Sequence, residues 1–197
     1  MHFRMSVEGL VKDLGMRFNP EIHHRRSMRL PNHDYAGGGC YFVTICIYRR
    51  AELLGEIVAG AMRLSEFGAI ADRCWREIPE HFDHVRLGEF VVMPNHVHGL
   101  VLMTPRKQTG LRIEERGQKR EFRLKAGSLG AVVGSYKSVV TKRVNLLRGA
   151  KGTPLWQRDY HEHVVMTAEG LGRIEQYVRN NPRKWWEDRF HPNKPCQ

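Results

Sequence analysis

The sequence predicts an α+β domain of the ferredoxin-like type. The expected form is a split βαβ sandwich whose antiparallel sheet carries two histidines on a central strand, with a later helix packed against that sheet. Three observations lead there. Apolar runs and helical stripes follow one another as strand, helix, strand, strand, helix, strand, helix. Only Pro94-Asn95 separates two of the strands, and so short a connection calls for an antiparallel hairpin. The 197 residues carry no internal repeat and suit one domain with tails or insertions.

The elements follow in chain order. Residues 1–35 are polar and basic, with His23-His24-Arg25-Arg26-Ser27-Met28-Arg29 and then Pro31. They read as an N-terminal arm, docked or mobile, ahead of a domain over 36–190 and a short tail over 191–197. Cys40 to Ile47 is apolar, β-branched and aromatic, a buried strand. Leu64, Phe67, Ile70, Ala71, Cys74 and Ile78 recur at helical spacing, and Pro79 is expected to stop that helix. Val85 to Val92 and Asn95 to Met103 form the hairpin. Residues 105–126 lack periodicity and hold Arg106, Lys107, Arg112, Arg116, Lys119, Arg120, Arg123 and Lys125, which reads as a basic loop insertion able to meet phosphates.

A long helix comes next. Leu129, Val133, Tyr136, Val140, Val144 and Leu147 make its stripe, Lys137, Thr141 and Arg148 share one flank, and Gly149 ends it. His163 to Met166 reads as a short strand. The last helix runs from Ala168 to Asn180, capped by Thr167 and closed by Pro182.

Charge and cysteine usage bound the function. A net charge of +11 concerns partners rather than fold, and polyanions, nucleic acid above all, are the partners it favours. The cysteines Cys40, Cys46, Cys74 and Cys196 show no CxxC spacing, and three of them sit in apolar segments. They read as small core residues in a reducing compartment. No apolar run reaches membrane-spanning length, and Met1 to Pro20 lacks a signal-peptide core. A cytoplasmic protein is expected.

The chemistry gathers at Met93-Pro94-Asn95-His96-Val97-His98-Gly99. Strand side chains alternate, so His96 and His98 share one face and Val97 takes the other. Two imidazoles on one face make half of a metal site or a satisfied core pair. On the last helix, Tyr177 and Asn181 stand one turn apart on the flank of the stripe Leu171, Ile174, Val178. Such a helix could offer a phenol and an amide to the histidines. A phenol with a pKa near 10 is a poor nucleophile, and a metal polarising a target phosphate would remedy that.

The pattern resembles the histidine–hydrophobe–histidine (HUH) motif of the single-tyrosine, IS200-like transposases, and the REP-associated tyrosine transposases in particular. The resembling segments are Tyr41-Phe42-Val43-Thr44-Ile45-Cys46, Phe90 through Gly99, Tyr136-Lys137-Ser138 with Thr141 through Asn145, Trp156-Gln157-Arg158-Asp159-Tyr160 with Glu162-His163, and Arg173 through Tyr177 with Asn180-Asn181-Pro182. The match runs from about residue 25 to 190. The resemblance implies a metal-dependent endonuclease and strand transferase on single-stranded DNA. Such an enzyme cleaves beside hairpins of repetitive extragenic palindromes and works as a monomer or homodimer at the nucleoid.

Residue by residue, His96 and His98 match the metal ligands and Asn181 the third ligand, with Mg²⁺ or Mn²⁺ as the ion. Tyr177 matches the nucleophile that captures a 5′ phosphate. Lys137, Arg143, Tyr160, His163, Arg25 and Arg26 are the expected DNA contacts, while Tyr136, mid-stripe, reads as core. His161 stands where the family often has an aromatic residue, so no second metal is expected at His161-Glu162-His163. Two other functions compete. A rolling-circle replication initiator or relaxase would favour a second catalytic tyrosine, and a basic nucleic-acid-binding module would have no catalysis. A zinc hydrolase lacks its Asp-His or Cys partner here.

Overall fold

The computed structural model describes residues 38–105 and 127–194, which belong to one compact unit. Arg25 and Arg26, nearly all of the basic loop (106–126) and Cys196 lie outside the described residues. The strands are β1 (Gly39–Cys46), β2 (Gly55–Val58), β3 (Ala61–Leu64), β4 (Val85–Met93), β5 (His96–Met103) and β6 (His161–Val165). The helices are α1 (Glu66–Arg76), α2 (Ile78–His81), α3 (Leu129–Leu147) and α4 (Ala168–Asn180), with 3₁₀ turns at Tyr48–Arg50 and Pro182–Glu187.

The four long strands form one sheet in the order β4-β5-β1-β6, and every neighbouring pair is antiparallel. With a helix crossing between β1 and β4 and another between β5 and β6, this is the ferredoxin-like arrangement that the sequence predicts. The HxH strand β5 is central, between β4 and β1.

Register sets the two faces. His96 stands opposite Cys46 and His98 opposite Thr44 on β1, while Thr44 in turn stands opposite His161 and Phe42 opposite His163 on β6. Directly paired residues share a face, so these side chains form one surface, and the strand period sends Val97 and Gly99 to the other. Helix α1 packs on the Gly99 face. A Cβ at Gly99 would come within 2.3 Å of the Trp75 ring, so the glycine of the motif is what lets α1 approach. Helix α3 joins α1 there: Tyr136, 3 % exposed, donates its hydroxyl to the Ala71 carbonyl and meets Trp75 edge-on. Helix α4 lies on the imidazole face, where Tyr177 meets Phe42 and His98 edge-on. The sheet is thus the middle of three layers, with Tyr177 and Tyr136 on opposite sides of it.

Four local expectations need correction. The β2–β3 hairpin (Gly55 to Leu64) is a structural element absent from the sequence reading. The helix expected from Leu64 begins at Glu66, because Ser65 caps it by accepting from the Gly68 amide. Pro79 does not merely stop that helix; it sits in the first turn of α2, where its missing N–H costs nothing. Strand β6 starts at His161, two residues early. Helix α4 has the expected bounds and its Thr167 cap. Beyond it Asn181 keeps helical angles (φ −57°, ψ −44°) although Pro182 follows, against the usual preference before proline. The chain therefore passes directly into the 3₁₀ turn. No helix among the described residues is long and apolar enough to cross a membrane.

Candidate active site

Three segments converge on the imidazole face: β5 with His96 and His98, α4 with Tyr177 and Asn181, and the end of the 3₁₀ turn with Asp188. Donor atoms of His96, His98 and Asp188 all lie within 4.8 Å of one another, and all three residues are buried. The Tyr177 hydroxyl stands 3.4 Å from His98 Nε2 and 3.4 Å from Asp188 Oδ2. Asn181 Nδ2 donates to the same carboxylate oxygen at 3.0 Å. The other Asp188 oxygen accepts from the Phe190 amide at 2.7 Å, which fixes the carboxylate's orientation.

The imidazole tautomers follow from their outer partners. Asn95 Nδ2 donates to the carbonyls of Arg50 and Phe190, so its Oδ1 must face His96, whose Nδ1 it meets at 2.8 Å. An amide oxygen only accepts. Nδ1 of His96 therefore carries the proton and Nε2 presents a lone pair toward the cluster. His98 Nδ1 meets Thr44 Oγ1 at 2.8 Å, and donation to that hydroxyl leaves Nε2 equally bare. Outer partners of this kind orient metal-binding histidines.

Electrostatics agree. Burial, helped by the charges of Arg50 and Arg189, pushes His96 down to about 3. Burial first, and then its neighbour His96, holds His98 well below the ordinary imidazole value. Both rings are neutral at pH 7, the form that binds cations. Burial and then the Asp188 charge push the Tyr177 phenol up, with the Asn181 amide and Arg189 opposing. Tyr177 accordingly keeps its proton in the absence of added positive charge.

The donor set fits a divalent cation. His96 Nε2 and Asn181 Oδ1 are buried without a hydrogen-bond partner, and orphaned buried polar atoms are costly, about 1–3 kcal/mol each. His96 belongs to the cluster, and Asn181 touches it through Nδ2 on Asp188, so a turn of its amide would present the oxygen. Two imidazole nitrogens, a carboxylate and an amide oxygen suit Mn²⁺ well and Mg²⁺ through the oxygens. His96, His98, Asp188 and Asn181 are the residues that could hold such an ion.

Of the other residues expected at the site, His163 lies half-buried on the imidazole face, opposite Phe42, and Tyr160 directly precedes β6. Lys137 donates to the carbonyls of Gln157 and Arg158, which ties α3 to the loop before β6. Arg143 pairs with Glu77 at 2.9 Å and meets Cys74 Sγ. Both charges are engaged within the protein. Trp186 is exposed whereas Trp156 and Trp185 are buried. Sequence reasoning missed Asp188 and the orienting roles of Asn95 and Thr44. The one signal in the sequence was the acidic pair Glu187-Asp188 after Trp185-Trp186 in an otherwise basic segment, and it does not say which of the two faces the site.

No family model matches this chain. An uncharacterised protein of Haemophilus influenzae is 33 % identical over 177 residues, covering 89 % of this chain and 97 % of that protein. Among solved structures, the chain is similar to a REP-associated tyrosine transposase bound to a REP hairpin, at 17 % identity and a TM-score of 0.49, over 80 % of this chain and 74 % of that one. It is also similar to a provisionally described transposase of Deinococcus radiodurans, at 17 % identity and a TM-score of 0.44, over 77 % of this chain and 95 % of that one.

Proposed function

This chain belongs to the family of the uncharacterised Haemophilus influenzae protein, and we propose that it is a metal-dependent endonuclease and strand transferase acting on single-stranded DNA through a 5′-phosphotyrosine. One observation carries the reading: the Tyr177 hydroxyl comes within 3.4 Å of His98 Nε2, beside a buried cluster of metal-binding donors.

In this reading His96, His98, Asp188 and Asn181 hold Mg²⁺ or Mn²⁺. The ion, when bound, polarises the target phosphate and stabilises charge developing on its oxygens. Tyr177 supplies the nucleophile. Its oxygen attacks phosphorus, the bond to the 3′ oxygen breaks, and a P–O bond to the phenol forms. The phenolic proton leaves through solvent, since Asp188 is engaged in holding the ion, and the departing 3′ oxygen takes up a proton as a free hydroxyl. Attack by another 3′ hydroxyl on the phosphotyrosine reverses the step and joins the strands. One phosphodiester is exchanged for another ester, so no external energy source is needed.

The hairpin substrate, of the repetitive extragenic palindrome type, is supported by the resemblance in sequence and by the net charge of +11. His163 shares the face of the site and is assigned a DNA contact, as is Tyr160 beside it. Arg25 and Arg26 are assigned one on charge alone. Lys137 and Arg143 take a lesser part, since carbonyls and Glu77 already engage them.

The test incubates the protein with end-labelled hairpin DNA and Mn²⁺. A covalent adduct carrying the fragment 3′ of the break through its 5′ phosphate, with a free 3′ hydroxyl on the released 5′-side fragment, is expected. Tyr177→Phe should abolish it, and Tyr136→Phe, altered on the opposite sheet face, should retain it. DNA binding without any adduct would instead favour a non-catalytic binding module.

A further inference from the structure

Beside the cluster, the 3₁₀ turn Tyr48–Arg50 holds two consecutive non-glycine residues in the left-handed region, Arg49 at φ +56° and Arg50 at φ +55°. Each such residue stores strain, and strain of this kind concentrates at functional sites. The turn is held there from outside. The Arg50 carbonyl accepts from Asn95 Nδ2, the same amide that sets the His96 tautomer.

The strained turn aims one side chain. The Arg50 guanidinium lies 5.3 Å from the centre of the Phe190 ring, and the Arg189 guanidinium lies 4.8 Å from the same ring. Phe190 is buried and its ring lies 4.8 Å from that of His96 and 5.9 Å from that of His98. Arg50 Nη1 also reaches the Arg189 carbonyl at 3.5 Å. Two cations are thus gathered on one aromatic ring against the site. Among the described residues, neither has a carboxylate at ion-pair distance, whereas Arg76, Arg143, Arg173 and Arg179 all do. Two guanidiniums without a carboxylate, both on a ring that touches His96, suit an anion placed between them and the cluster. Guanidinium is the side chain best matched to phosphate oxygens.

We propose that Arg50 and Arg189 form a phosphate clamp, seated on Phe190, that grips the backbone of single-stranded DNA at the linkage presented to Tyr177. This assignment rests on the function proposed above. Phe190 gives the clamp a rigid seat, and Asp188, the residue before Arg189, ties it to the metal-binding cluster.

The test uses the full chain and a fluorescent single-stranded hairpin oligonucleotide. Binding is followed by anisotropy in EDTA, and adduct formation is followed in Mn²⁺. Arg50→Asn is the informative variant, because asparagine tolerates the left-handed region while removing the guanidinium. Its melting temperature should equal or exceed that of the parent, and its DNA affinity should fall about tenfold. Arg189→Gln should weaken binding similarly, and each variant should lower the slope of log K against log salt by about 1. A series of oligonucleotides, each with one neutral methylphosphonate linkage, locates the partner. At the gripped linkage the neutral group weakens the parent protein and has little further effect on Arg50→Asn.

Equal affinity and equal salt slope in Arg50→Asn and Arg189→Gln, beside a Tyr177-dependent adduct in the parent, would overturn the clamp and leave the nuclease reading standing. Loss of affinity in both variants with no adduct in the parent would support the clamp and sink the nuclease reading. Arg76→Gln, on α1 across the sheet, serves as the charge control and should bind as the parent does.

Discussion

Burying one imidazole is costly, and this chain buries two side by side. His96 and His98 are both fully enclosed and neutral, one pushed down to about 3 and the other well below its usual value. The metal-free unfolded chain takes up protons near 6.5 at each position, whereas the folded chain resists until far lower pH. The unfolded state therefore binds more protons in this window, and stability must fall as pH drops from about 6.5 toward about 3. Denaturation in EDTA at pH 7 and pH 5 should show a loss approaching 1.4 kcal/mol per pH unit for each histidine. Flat stability over that interval would contradict neutral buried rings. Thr44→Val tests the outer partner. It removes the hydroxyl beside His98 Nδ1 with little change of shape and should weaken Mn²⁺ binding about 10–100-fold by calorimetry. Unaltered affinity would mean that the tautomer of His98 is set otherwise.

Among the elements, β5 does the positioning. Its alternation sends His96 and His98 to the site and Val97 and Gly99 to the helices behind. Gly99→Ala would drive a Cβ into the Trp75 ring and should cost about 1–3 kcal/mol. The loss is readable as a lower urea midpoint, and a midpoint equal to that of the parent would show that α1 can shift away. This strand was legible in sequence because period two and an apolar run need no long-range knowledge. The bounds of α3 and α4 were legible for a similar reason, since stripe, cap and terminating glycine are all local. The β2–β3 hairpin was not. Its four-residue strands are mostly exposed, with patterns that carry little apolar contrast. Asp188 was illegible as well, because what defines it is a contact with β5, and no spacing along the chain encodes that. Pro182 closes the α-helix where expected, but the residue before it does not leave helical geometry. With Asn181 still helical, the chain turns on and carries Asp188 back under Tyr177.

For the molecule as a whole, charge and site fit one task. In the function proposed above, the net charge of +11 attracts the polyanion at long range and the buried cluster acts on one linkage of it. Binding to single-stranded DNA should weaken as salt rises, with a linear fall of log K against log salt. Salt-independent binding would show that the charge has another purpose. The ferredoxin-like sheet makes the site possible by giving one strand two neighbours, one of which, β1, supplies Thr44, while α4 and the segment that follows it, with Asp188 and Phe190, cover the face above.

The most direct test is pulsed electron paramagnetic resonance of Mn²⁺ bound to the intact protein. The account predicts nitrogen couplings from two imidazoles, reduced to one in His96→Gln and in His98→Gln, and preserved in Tyr177→Phe. A saturated Mn²⁺ signal without nitrogen coupling would place the ion elsewhere and contradict the site described here.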